Sequence, residues 1–206
     1  MKAFTEIADE ILGATLNAQG FVRSAEEHDL VMYESGICTL AVGHDSQRSG
    51  EIFVGLNRRN AARRPDFGFD EVIRAASVPA DLRPTGYAAR DERSVRHLLQ
   101  TMATLLATYC SPLLHGDEAA WSRLSAQRDA DVSRYETENR VRQALNDATE
   151  AWHSKDFAKV VDLLGPVRSA LGAADRAKLG YAERKLLESQ GWRYNAETGA
   201  YYPPKP

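Results

Sequence analysis

The stretch DLVMYESGICTLAVGHDSQRSGEIFVGLNR, residues 29–58, decides the fold. Read in steps of two, Val31 and Tyr33 point one way, as do Cys38, Leu40 and Val42 on the next run and Ile52, Val54 and Leu56 on the third. That alternation predicts an antiparallel meander. A two-residue turn at Ser35-Gly36 sets Tyr33 opposite Cys38 and Val31 opposite Leu40, which brings the three apolar rows to one side. A sheet with one apolar face is marginal alone and needs a covering layer. On the opposite face, Leu30, Met32, Ile37, Thr39, Ala41 and Phe53 are more apolar than a solvated sheet requires. Either helices from the C-terminal half fold back over them or a partner does.

Working outward, Phe4, Ile7, Ala8, Ile11, Leu12 and Leu16 recur at three- and four-residue steps, which predicts an opening helix that covers the first face of the sheet. Glu6, Asp9 and Glu10 then point to water, and Gly20 ends the helix. A short strand around Phe21 to Ser24 brings the sheet to three or four strands. Past the meander, Phe69, Val72, Ile73 and Ala76 mark a short helix. Pro79, Pro84 and Gly86 then break the periodicity over residues 78–90, which read as a linker. Asp91 is the N-cap of a strong helical stripe of Val95, Leu98, Leu99, Met102, Leu105, Leu106 and Tyr109.

Residues 117–154 contain no glycine or proline, and one helix over that span would be roughly 55 Å long. Its first half is poorly amphipathic, so it is either exposed on most sides or bent near Asp131. Two helices follow, one carrying Phe157, Val160, Val161 and Leu164, with Pro166 poised to kink it, the other Leu179, Ala182 and Leu186. The tail is aromatic at Trp192, Tyr194, Tyr201 and Tyr202 around a turn-like Asn195 to Gly199, and predicts a small hairpin. The chain thus reads as α+β: an N-terminal helix on a three- or four-stranded antiparallel meander, then a helical C-terminal half with a long helix and a helical hairpin. The divisions expected are 1–90, 91–190 and an aromatic tail, 191–206.

Composition bounds the function. With 206 residues, 43% hydrophobic and 27% charged, the balance is that of a globular protein. A formal net charge of −3 gives no global pull toward nucleic acid or anionic membrane. The N-terminus lacks a signal peptide's charged-then-apolar order, and no run approaches the roughly 20 apolar residues that span a bilayer, so a cytoplasmic location is expected. Two cysteines, Cys38 and Cys110, read as buried reduced thiols.

No phosphate loop, HExxH, CxxC pair or Gly-x-Ser-x-Gly is present, and the five histidines share no ligand spacing. No catalytic residue, metal or cofactor is therefore called for. Two charged loops are candidates for partner contact. The loop from His44 to Glu51 offers Asp45, Arg48 and Glu51. Arg58, Arg59, Arg63 and Arg64 follow the last strand, where guanidinium groups suit bidentate pairing with carboxylates or phosphate. The acidic total favours an acidic protein surface over nucleic acid as their target. Trp192, Tyr194, Tyr201 and Tyr202 are candidates because aromatic residues are enriched at interfaces.

Two resemblances add to this reading. Ala144, Ala148 and Trp152, the turn Lys155-Asp156-Phe157 where such repeats commonly have Gly-Asp-Tyr, and then Leu171 and Tyr181-Ala182 resemble a tetratricopeptide-type unit of about one and a half repeats. Val160 departs from it, standing where the repeat prefers a small residue. The run Gly20-Phe21, then LVMYESGICTLAVGHDSQRSGEIFVGLN, the helix FxFxEVIR at Phe67 to Arg74, and LLHGDEAAWSRL after a long apolar helix look like a family of small uncharacterised bacterial cytoplasmic proteins. Some proteins of that look resemble immunity proteins of bacterial toxin systems, which implies a non-enzymatic protein that binds and blocks a cognate toxin domain. The alternative is a structural or adaptor subunit that self-associates into a homo-oligomer. An enzyme with an unfamiliar site and an Arg-loop nucleic-acid binder are less favoured.

Overall fold

The computed structural model describes residues 3–59, 67–195 and 198–203, and the chain divides into two compact units, 1–129 and 130–206. The first unit is built on a five-stranded antiparallel sheet in sequence order: β1 (Val22–Glu27), β2 (Leu30–Glu34), β3 (Cys38–His44), β4 (Ile52–Arg58) and β5 (Phe67–Gly68). The strand beyond the expected four is β5, only two residues long, which pairs Phe67 with Leu56.

The register of the central hairpin differs from the one the turn residues suggest. Tyr33 lies opposite Leu40 and Val31 opposite Val42. The loop is Gly36-Ile37, closed where the Ser35 N–H donates to the Cys38 carbonyl at 2.9 Å. Ser35 Oγ accepts the N–H groups of Ile37 and Cys38 at 3.2 and 3.1 Å, and this hydroxyl moves the turn along by one residue. Pairing shifts by two positions, one full side-chain period, so every apolar residue keeps its face. Val31, Tyr33, Cys38, Leu40, Val42, Ile52, Val54 and Leu56 are all buried.

The covering helix runs as α1 (Phe4–Ala8), a π-helical turn (Asp9–Gly13) and α2 (Ala14–Ala18), and buries the expected stripe except for a partly exposed Ile11. The π turn begins at Asp9. Asp9, expected in water, accepts the Tyr33 hydroxyl at 3.2 Å and faces Arg23 at 3.4 Å. A Cβ on Gly13 would stand 3.1 Å from that carboxylate, so the wide turn has room for it because residue 13 is glycine. Burial and the neighbouring Asp9 both push the Tyr33 phenol far above its ordinary range, so it stays protonated and donates to Asp9.

Helix α3 (Phe69–Ala75) follows β5 directly, and Glu71 is its anchor. The Gly68 N–H donates to Glu71 at 2.8 Å, and Arg128 forms a bidentate pair with it at 2.8 and 2.6 Å while its guanidinium lies 4.0 Å from the centroid of Phe67. Arg128 holds the Glu71 carboxyl below its usual range. Because the folded-state value is lowered, the contribution to stability is present above the ordinary glutamate value and is lost as pH falls through the folded one. Glu71→Gln is expected to lower the urea midpoint at neutral pH, by about 2 kcal/mol in free energy. That deficit should shrink toward zero as the titration is repeated at falling pH, and a deficit independent of pH would contradict the pairing.

Residues 78–90, read as a linker, are tied to the sheet. The Ile52 N–H donates to the Tyr87 carbonyl at 2.8 Å, the Ala89 N–H donates to the Gly50 carbonyl at 2.7 Å, and Glu51 bridges to Ala88. Asp91 caps α4 (Glu92–Tyr109) with the Ser94 N–H at 2.8 Å, and the α4 stripe packs against the opening helix in the same core. Short α5 (Ser111–Leu114) leads to Gly116, whose φ of +82° and approach to Ile37, 2.9 Å from where a Cβ would sit, both require glycine. Burial pushes the thiols of Cys38 and Cys110 up to about 11 and about 12.

Helix α6 (Glu118–His153) is continuous, and the boundary between the units falls within it. In the second unit its Ala144, Ala148 and Ala151 form a core with α7 (Phe157–Leu164), a 3₁₀ segment (Gly165–Ala170) that contains Pro166, and α8 (Ala173–Ser189). Asp156 caps α7 through the Lys159 N–H at 3.0 Å. Ala144, Ala148 and Ala151 of α6 share this core with Val160, Leu164 and Leu179. The tail forms a hairpin of β6 (Arg193–Asn195) and β7 (Ala200–Tyr202), with Tyr194 opposite Tyr201.

Candidate functional site

A groove of about 690 Å³ opens in the first unit where the β3–β4 loop, β4, α3 and residue 87 meet. Carboxylates come from Asp45, Glu51, Asp70 and Glu71, and rings from Phe53 and Tyr87. Asp45, Asp70, Glu71 and Tyr87 are held by hydrogen bonds. The Asp45 carboxylate accepts the Ser49 N–H at 3.3 Å and hydroxyl at 3.0 Å, while the Gly50 N–H returns to the Asp45 carbonyl at 2.8 Å in a turn that needs the φ of +69° at Gly50. These Ser49 bonds hold the Asp45 carboxyl below its usual range. The Tyr87 hydroxyl donates to Asp70, and burial together with that carboxylate raises its phenol well above the ordinary value. Its ring meets Phe69 edge-on, 6.2 Å between centroids at 89°.

Phe53 is the exposed member, with 52% of its surface open. It pairs across the sheet with Gly43, and a Cβ built on Gly43 would fall 2.1 Å from the Phe53 ring. The outer end of the ring therefore lies over the bare backbone of Gly43, with half of the residue's surface open. Beside it on the same sheet face are the partly exposed Leu30, Met32 and Ala41. Chemically the groove offers an apolar plate bordered by carboxylates, of which Asp45 and Glu71 are held below their usual range, an arrangement suited to a cationic and apolar contact. Among the described residues, no group of three or more His, Cys, Asp or Glu side chains is placed to hold a metal ion.

Of the residues singled out from sequence, Asp45 and Glu51 line this groove, and Arg48 is exposed on the same loop. Arg58 is bonded to Glu118 through both terminal nitrogens and lies 5.7 Å from the Trp121 ring centroid. Arg59 donates to the Ser35 carbonyl at 2.9 Å and faces Glu34 at 3.6 Å. Both guanidinium groups are thus engaged within the chain. Arg63 and Arg64 lie outside the described residues. In the second unit, the rings of Tyr194 and Tyr201 pack 5.1 Å apart, the Tyr202 hydroxyl lies 3.2 Å from that of Thr198, and Trp192 is half-buried.

Sequence reading missed Asp70, Glu71 and Tyr87. No local signal marks them, because three distant segments supply the groove. Among the described residues, no helix is long and apolar enough to cross a membrane. No protein-family model, curated protein or solved structure matches this chain.

Proposed function

We propose that this chain is a non-enzymatic protein-binding protein, and that the groove of the first unit, with the sheet face beside it, receives a basic and apolar surface of its partner. The observation that carries this reading is the exposed Phe53 ring fixed on Gly43 at the edge of a groove lined by four carboxylates. A rigid aromatic plate loses little conformational freedom on burial, and carboxylates of one sign steer a partner of the other. The lowered values of Asp45 and Glu71 favour fixed charge over general acid–base work, which supports the non-enzymatic part. Within this class, the family resemblance points to an immunity protein whose partner is a bacterial toxin domain.

The test is affinity capture of the tagged chain from its own cell lysate, with mass spectrometry of retained proteins. Phe53→Lys is run alongside, and light scattering follows the purified chain. A stoichiometric partner held by the parent chain and lost from Phe53→Lys is expected, and a toxin-like domain in it would establish the immunity role. Equal retention by both proteins would remove the groove from the account. A chain that comes down alone and scatters as an oligomer would replace this reading with the self-associating subunit.

A further inference from the structure

The second unit carries a separate, differently charged aromatic surface. Trp152 at the end of α6, Phe157 at the start of α7 and Tyr181 on α8 form a mutual three-ring cluster, with centroids 5.8, 5.4 and 5.8 Å apart and interplanar angles of 76°, 58° and 69°. Tyr181 is exposed, and the other two rings are half-buried. Three cations border them. Lys178 lies 5.8 Å from the Trp152 centroid, while Arg184 and Lys185 lie 6.0 and 5.7 Å from that of Tyr181.

These cations keep hydrogen-bonding capacity. Arg184 makes no ion pair among the described residues, Lys178 reaches Asp175 only at 4.0 Å, and Lys185 gives Glu188 one bond of 2.8 Å, which leaves two of its three donors. Pairs of this exposed i,i+3 kind are weak and give way to a better acceptor. An aromatic patch rich in Trp, Tyr and Arg has the composition of an interface centre.

We infer that this ring cluster, with Lys178, Arg184 and Lys185 at its margin, is a second docking surface, one that takes an acidic segment of a protein partner. Charge complementarity selects the occupant. Carboxylates can bind the cations while apolar side chains cover Tyr181, and the cation–ring contacts survive the exchange. Single-stranded nucleic acid fits less well, because base stacking needs open ring faces and here the rings meet one another and the chain's own cations. This surface is independent of the groove in the first unit.

The experiment is fluorescence polarisation of the full chain with a labelled decapeptide of alternating glutamate and leucine, and separately with a labelled oligothymidylate. The peptide should bind, more weakly as salt rises. Arg184→Glu combined with Lys185→Glu should weaken it by about tenfold or more, while Phe53→Ala in the first unit should leave it unchanged. Tyr181→Ala should weaken it as well. The charge-reversed protein changes the exposed Arg184 and the partly exposed Lys185 and alters no ring, and circular dichroism checks its helices. The proposal is overturned if the peptide fails to bind at about 1 mM, if charge reversal leaves its affinity intact, or if the oligonucleotide binds as tightly and is lost in the same variant.

Discussion

Leu40→Ala should lower the unfolding free energy of the first unit by about 3 kcal/mol, the range found when a large aliphatic side chain is removed from a site that cannot collapse. Leu40 is fully buried at the centre of β3, paired with Tyr33 on one side and Leu56 on the other, and opening helix and sheet share the core around it. Its neighbours are held by ladders on both flanks, so little of the cavity can close. Met32 lies on the opposite face of the same sheet, only partly buried, and Met32→Ala should cost under about 1 kcal/mol. Native-state hydrogen exchange of the β2–β4 amides reads both variants against the parent chain. Similar losses from the two would mean that the faces are wrongly assigned.

The contrast between those two positions is legible in the amino-acid order itself. Alternation along residues 29–58 assigns faces, and face assignment survives a register shift of two because the side-chain period is also two. The shift itself is hidden in Ser35. A Ser-Gly pair reads as a turn, but here the serine hydroxyl accepts two amides and the loop falls on Gly36-Ile37. The opening helix is equally readable from its apolar stripe, while its π turn and the long-range bond between Asp9 and Tyr33 that accompanies it are not encoded in any three- or four-residue spacing. Residues 78–90 show the same limit. Proline and glycine there indicate broken periodicity, yet the backbone amides and carbonyls around Tyr87 and Ala89 bond to the sheet and carry Tyr87 into the groove. Sequence identifies the charged loop at Asp45 and the apolar Phe53. What makes them one site is the closure of α3 and residue 87 beside them, a tertiary event.

The interplay of Gly43 and Phe53 gives the sharpest test of that site. In a strand, alanine is ordinarily favoured over glycine by about 0.5–1 kcal/mol, and Gly43 is not among the residues with positive φ, so the backbone itself would accept a side chain. The obstacle is the ring, 2.1 Å from where the Cβ would sit. Gly43→Ala must therefore displace Phe53 from its seat, and is expected to destabilise the first unit by about 1–3 kcal/mol, as overpacking does. In a Phe53→Ala background the same substitution has nothing to strike and should be neutral or mildly stabilising, a coupling that urea titration of the four proteins measures. Binding should follow the ring as well. Gly43→Ala adds one methyl group beneath the partner surface and removes no contact atom, yet if Phe53 is the anchor it should weaken partner capture by tenfold or more, about 1.4 kcal/mol or above, and approach the effect of Phe53→Ala. Full capture by Gly43→Ala, with its stability reduced as expected, would show that the ring can leave its seat without consequence, and would move the partner surface away from Phe53.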